Sequence, residues 1–294
     1  MGKFFARLWV ALVLRSARWS PATRTRWGNA LGDLAWALVF PRRRIAETNL
    51  RACFPEISEY ERRRLVRSLF RNMARGILDH GVFWSADRET IRAFVRVEGA
   101  EHLAARDETP LLLLVPHFVG LDAAASWVTT ERRAVSIYAR QSNPVWDHWL
   151  EHGRSRFHKP LLIARGGAEL RAAVRAMRDE GLPFFYLPDV DTGEANSIFV
   201  PFFGVATATL PMVSRLARMT GARVCMGVSE QVADGYVFHI EAPWPDHPGT
   251  SVEEDTARMN REIERWVRRF PDQYLWTHRR FKTRPPGEGA FYRR

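Results

Sequence analysis

Cysteine, lysine and long apolar runs are all scarce in this chain. Cys53 and Cys225 lie far apart with no CxxC partner, so a disulfide framework and a cysteine zinc site are both unexpected. A reducing compartment is the default. Lysine occurs only at Lys3, Lys159 and Lys282, which leaves arginine to supply nearly all of the 44 basic residues. No G-x-S-x-G elbow is present, which disfavours a serine hydrolase. No zinc-finger, helix-turn-helix or RNP pattern accompanies the positive charge, so nucleic-acid binding is not expected. Internal repeats and low-complexity segments are absent.

What the 294 residues do contain is 46% apolar side chains and a net charge of +11, set by 44 basic against 33 acidic groups. The apolar content suits a globular core. The excess of arginine forks suits phosphate and carboxylate oxygens, as on an anionic membrane or an acidic carrier protein. A GC-rich genome would also write arginine for lysine, which accounts for the residue choice better than for the excess charge. Trp9, Trp19, Trp27 and Trp36 sit beside arginines, the pairing found at lipid–water interfaces.

Two apolar runs open the chain, Phe4 to Leu14, broken by Arg7, and Ala30 to Phe40, which contains Asp33. Each falls short of the roughly 20 residues that span a bilayer as a helix, although a span is open to the first if Arg7 snorkels. No A-x-A site follows, which argues against a cleaved signal peptide. Residues 1–40 are expected to form a membrane-associated helical segment lying in the interface, with 41–294 as the catalytic domain. A buried helical hairpin is the plainer alternative.

Ser58-Glu59-Tyr60-Glu61 has the spacing of a capping box, and Leu65, Leu69, Met73 and Ile77 follow as one apolar stripe. Beyond Val95 six apolar runs read as strands: Leu111–Val115, 134–139, 161–164, Pro183–Leu187, Ala222–Val228 and Tyr236–Ile240. Helical segments lie between several of them, and a last helix starts at Ser251 and stops at Pro271. This alternation predicts a mixed α/β fold, with a largely buried sheet flanked by helices.

The four leucines of 111–114 and Val115 lead through Pro116 directly to His117, with Asp122 five residues later. Catalytic groups in open α/β sheets gather at the carboxyl ends of strands. On a regular helix the two side chains would lie about 140° apart, so they meet only if His117 sits in the loop before it. A histidine oriented by a carboxylate can take the proton from an alcohol. On this reading His117 is the general base, Asp122 orients it, and the backbone N–H groups of Phe118 to Gly120 supply oxyanion donors. Asp189 and Asp191 form a D-x-D at another strand end. In sugar-nucleotide transferases such a pair holds a divalent metal, which is the main enzymatic rival.

H-x4-D after an apolar strand resembles the signature of the glycerolipid acyltransferase superfamily. More narrowly, the chain resembles the late acyltransferases of lipid A biosynthesis. Matching stretches are 97–103, 138–144, Pro188-Asp189-Val190-Asp191-Thr192-Gly193 and Phe199-Val200-Pro201-Phe202-Phe203-Gly204. The most specific runs from Pro271 through Tyr274, Trp276, His278, Arg279, Arg280 and Phe281 to Pro285, and the resemblance covers roughly residues 40 to 286.

The resemblance implies an O-acyltransferase that needs neither metal nor diffusible cofactor. Acyl carrier protein would be its donor and partner, and a hydroxyl of a lipid A precursor its acceptor. It would act as a monomer on the cytoplasmic face of the inner membrane. Arg165, after the buried run 161–164, would clamp a phosphate or the acceptor, while Asp189, Asp191 and Glu194 would shape the acceptor pocket. The basic cluster from His278 to Arg284, with Arg279 and Arg280 at its centre, would meet lipid phosphates or the carrier; a solvated tail is the blander alternative. Arg71, Arg75 and Arg154 would extend that patch.

Overall fold

The computed structural model describes residues 2–103, 109–138, 140–164 and 169–292. Among the described residues nine strands form: β1 (Val95–Glu98), β2 (Leu111–Leu114), β3 (Val135–Tyr138), β4 (Leu161–Ala164), β5 (Phe184–Tyr186), β6 (Ile198–Phe202), β7 (Val205–Thr209), β8 (Arg223–Val232) and β9 (Gly235–Ile240). Seven make one sheet in the order β1-β9-β8-β2-β5-β3-β4, and β6 and β7 make a separate hairpin. Only β8 and β9 run antiparallel within the seven. All six expected strands are there. Strand β1 and the β6–β7 hairpin were not anticipated, because their alternating or Pro-containing sequences lack a continuous apolar run.

The run of leucines in β2 is explained by its central place. Leu112 and Leu114 join the core on one side of the sheet with Phe184, Val224 and Met226; Leu111 and Leu113 join the other with Phe185 and Cys225. Side chains alternate faces along a strand, so covering both faces demands apolar residues at every position. Each fully buried leucine stabilises the fold by about 1.5–3 kcal/mol.

Helices cover the sheet: α1 (Gly2–Ser16), α2 (Pro21–Leu38), α3 (Phe40–Cys53), α4 (Glu59–Ser85), α5 (Arg88–Phe94), α6 (Leu121–Glu131), α7 (Pro144–Arg154), α8 (Glu169–Asp179), α9 (Met212–Thr220) and α10 (Val252–Arg269). The capping box forms at Ser58, with both reciprocal bonds to Glu61. At Ser251 the side chain accepts the Glu254 N–H.

Helices α1 and α2 pack on α4. Close approach is possible because Gly32 lacks a side chain: a Cβ there would lie 2.4 Å from the Cα of Arg71. Polar ties lock the contact, with Arg24 Nε 2.7 Å from the fully buried Asp79 and Ser16 Oγ donating to the Leu78 carbonyl at 2.6 Å. The outward surfaces keep Phe4, Phe5 and Leu8 on α1, and Leu34 and Leu38 on α2, exposed. Among the described residues no helix is long and apolar enough to cross a membrane.

Candidate active site

Strands β2 and β5 are parallel neighbours, with Leu114 in register with Tyr186, so their carboxyl ends open side by side. His117 follows β2 and Asp189 follows β5. The Asp189 carboxylate holds His117 twice: Oδ1 is 2.7 Å from the ring Nδ1, and Oδ2 accepts the backbone N–H at 2.9 Å. Nδ1 therefore carries a proton, and Nε2 is left for proton transfer. His117 is partly exposed and Asp189 is buried. Burial pushes the Asp189 carboxyl up, but its electrostatic interaction and hydrogen bonds with His117, with help from Arg280, outweigh it and bring it to about 2.

The expected pairing of His117 with Asp122 is corrected by this geometry. Asp122 lies in the first turn of α6, where Arg154 of α7 donates to Oδ1 at 2.7 and 3.1 Å and His80 Nε2 of α4 lies 3.2 Å from Oδ2. Among the described residues no hydrogen bond joins it to His117. Burial raises Asp122, but Arg154 and His80 hold its carboxyl well below the ordinary carboxylate range. Arg154 is thereby spent on an ion pair rather than on a surface patch. Arg71 is likewise bound to Asp33, at 2.7 Å, and Arg75 is buried 3.4 Å from Asp79.

The oxyanion donors also differ from expectation. Phe118 gives its N–H to the Pro116 carbonyl, and Val119 gives its own to the Gln273 carbonyl, each at 2.8 Å. Gly120 alone of the three keeps its N–H out of any hydrogen bond among the described residues. Glycine is required there, since a Cβ would fall 2.5 Å from the Ser229 carbonyl oxygen.

The segment from Pro271 to Phe281 is what the site leans on. Leu275 N–H donates to the His117 carbonyl at 2.9 Å, and Tyr274 forms a β-bridge with Phe118. Tyr274 and Trp276 are buried, and burial, then the Asp189 carboxylate, push the Tyr274 hydroxyl well above 10. Asn49 of α3 donates to the carbonyls of Trp276 and His278, both at 2.8 Å. None of these ties was legible beforehand, because their partners lie more than 150 residues apart in sequence.

Arg280 was expected to touch substrate. It is instead 2% exposed, donating to the Ala208 carbonyl and Thr209 Oγ1 of β7 and lying over the Phe202 ring. Arg279 is exposed beside Tyr292. Asp191 is turned inward and accepts from the Thr283 N–H at 2.7 Å, the Thr283 hydroxyl and the Gly193 N–H. The two D-x-D carboxylates thus serve separate partners, and among the described residues no group of three or more His, Cys, Asp or Glu side chains is placed to hold a metal ion. Glu194 is exposed. Arg165 lies outside the described residues.

Beside Asp122 a largely apolar cavity of about 60 Å³ runs between α6 and strands β3, β4 and β5. Leu121, Ala125, Val128, Ile137, Leu162 and Leu187 line it, together with the Asp122–Arg154 pair.

Residues 4–283 match the family described as bacterial lipid A biosynthesis acyltransferase. The lipid A biosynthesis lauroyltransferase of Escherichia coli (strain K12) is 34% identical over 273 residues, covering 91% of this chain and 88% of that protein. The palmitoleoyltransferase of the same organism is 31% identical, with 90% and 87% covered, and its myristoyltransferase is 31% identical, with 90% and 82% covered. Among solved structures, the 1-acyl-sn-glycerophosphate (LPA) acyltransferase of Thermotoga maritima is matched at a TM-score of 0.39 and 14% identity, over 85% of this chain and 98% of that one.

Proposed function

The chain belongs to the bacterial lipid A biosynthesis acyltransferase family, and from that premise we propose that it transfers a fatty acyl chain from an acyl carrier protein thioester to a hydroxyl of a tetra-acylated, Kdo-bearing lipid A precursor. The observation that carries the chemistry is the double hold of Asp189 on His117. With Nδ1 donating to the carboxylate, Nε2 takes the proton of the acceptor hydroxyl. The oxygen attacks the thioester carbon, the C–O bond forms, and the carbonyl electron pair moves to oxygen. Collapse breaks the C–S bond, and the leaving sulfur receives the proton from the His117 imidazolium. Such a base contributes about 10²–10⁴-fold. Asp189 fixes the tautomer and faces the charge that develops on the ring.

The apolar cavity beside Asp122 suits the acyl chain, since Ala125, Val128 and Leu162 offer it only hydrocarbon. The exposed Phe4, Phe5 and Leu8 of α1 and Leu34 and Leu38 of α2 suit docking to the inner-membrane surface without crossing it, with arginines at headgroup level. Arg279 and Lys282 are exposed on the segment that braces the site and suit an anionic lipid or the acidic carrier.

The test is to incubate the purified protein with a tetra-acylated precursor, with and without its Kdo sugars, and a mixture of acyl carrier protein thioesters. Mass spectrometry reads the product. A gain of one acyl mass that vanishes in His117→Ala supports the reading and reports chain length. No gain with any donor moves the acceptor elsewhere, towards phospholipid or aminolipid hydroxyls.

A further inference from the structure

Acyl transfer needs a hydrogen-bond donor for the oxygen that becomes negative when the thioester carbon is attacked. Two of the three amides nearest His117 are consumed, by Pro116 and Gln273, and Gly120 alone leaves the oxyanion with one donor. A side chain beside the His117–Asp189 pair can supply a second donor.

His278 is placed for it on both sides. It lies three residues after Leu275, whose N–H holds the His117 carbonyl, and its Nε2 accepts the N–H of Asp191 at 3.3 Å, two residues from Asp189. Accepting at Nε2 requires that nitrogen to be bare, so the neutral ring carries its proton on Nδ1. Burial first, with the nearby positive charge of Arg280, lowers its proton affinity against the pull of Asp189 and Asp191, which favours the neutral ring. The ring is partly exposed, and among the described residues Nδ1 makes no hydrogen bond.

Its backbone is clamped. The His278 carbonyl accepts from Asn49 Nδ2 at 2.8 Å and from the Arg280 N–H at 3.0 Å. Asn49 is fully buried, and the Tyr292 hydroxyl donates to its Oδ1 at 2.6 Å, which fixes both amide hydrogens on the Trp276 and His278 carbonyls. Tyr292 lies beyond residue 283, where the family match ends.

We propose that His278 is a second catalytic imidazole, neutral throughout, whose Nδ1–H donates to the thioester carbonyl oxygen as His117 deprotonates the acceptor, with Asn49 and Tyr292 as its positioning residues. This rests on the acyl-transfer reading. No proton leaves His278: its hydrogen bond tightens as the carbonyl electron pair moves to oxygen, and relaxes when the C–S bond breaks. Removing one such donor costs about 10²–10³ in kcat.

The test compares the wild type, His278→Gln, which keeps an N–H donor, and His278→Met, which has none. Turnover is read with an acyl carrier protein thioester and the tetra-acylated precursor. A non-transferable thioether analogue of the acyl carrier protein reports binding and an intact site. The expected result is a 10²–10³-fold fall in kcat for Met with analogue binding unchanged, KM within about twofold, and at least tenfold recovery in Gln. Met turning over within threefold of wild type, Gln and Met falling equally, or loss of analogue binding in Met would each overturn the proposal. A wild type that binds the analogue but transfers no acyl group would instead sink the acyl-transfer reading beneath it.

Discussion

Asp189 and His117, 72 residues apart in sequence, are joined by two hydrogen bonds from the two oxygens of one carboxylate, one to the ring and one to the backbone. Orientation of the imidazole therefore belongs to the end of β5 rather than to the aspartate of the H-x4-D spacing. Asp189→Asn is expected to lower kcat by about 10²–10⁴, because an amide can present its NH₂ to Nδ1 and favour the wrong tautomer. The fall should appear in kcat with the melting temperature nearly kept. A variant turning over near the wild-type rate would return the orienting role to another group.

Asp122 ties three helices rather than the His117 ring. A double-mutant cycle on Asp122→Asn and Arg154→Gln is expected to give a coupling energy of about 0.5–3 kcal/mol in urea unfolding. Additive effects would show that the ion pair contributes nothing to the fold.

Acid should expose both carboxylates. Asp189 titrates at about 2 in the fold, below its ordinary 3.8, and Asp122 is lowered further. A depressed carboxylate stabilises the fold fully above its unfolded value, and that contribution is lost as pH falls through the folded one. Circular dichroism during acid titration should show stability beginning to fall below about pH 4 and continuing past pH 2, with a shallower loss in Asp189→Asn. Identical slopes in both proteins would contradict this assignment.

Chain length should follow the cavity. Ala125→Leu places extra methylenes into the space beside Asp122, and each methylene of substrate is worth about 1–3 kcal/mol there. The preferred acyl chain is expected to shorten by two or more carbons, read by competition among thioesters of different length. An unchanged profile would place the acyl chain elsewhere.

The N-terminal helices should detach when their buried charge is broken. Asp79 is fully buried between Arg24 and Arg75 and also accepts from the Tyr236 hydroxyl at 2.8 Å. Asp79→Asn leaves two arginines without a counter-charge, at an expected cost of about 3–5 kcal/mol. Limited proteolysis between α1 and α2 should speed up accordingly. Separately, Phe4→Glu with Leu8→Glu should weaken cosedimentation with anionic vesicles at least about tenfold while leaving the melting temperature unchanged.

Much of this was legible in the chain itself. The six apolar runs, the capping box at Ser58 and the placement of His117 after a buried strand are local patterns, and local patterns survive folding when periodicity, caps and burial agree. Asp189 was visible as a carboxylate at a strand end, but its partner was not. Five-residue spacing made Asp122 the natural candidate, yet α6 begins at Leu121 and directs that carboxylate towards α4 and α7.

Sequence by itself determined the class of fold, the place of His117 after a buried strand and the family hallmark that ends at the basic cluster, because each is written in residues adjacent along the chain. Only the tertiary structure decided which carboxylate holds His117, which amides remain as donors, and which arginines face inward. Those outcomes depend on strand order. The pairing of β2 with β5 sets Asp189 beside His117, and the return of the 271–281 segment across Phe118 consumes the Val119 amide and buries Arg280. Contacts between residues so distant in sequence are fixed by packing and hydrogen-bond satisfaction in three dimensions, which no spacing along the chain records.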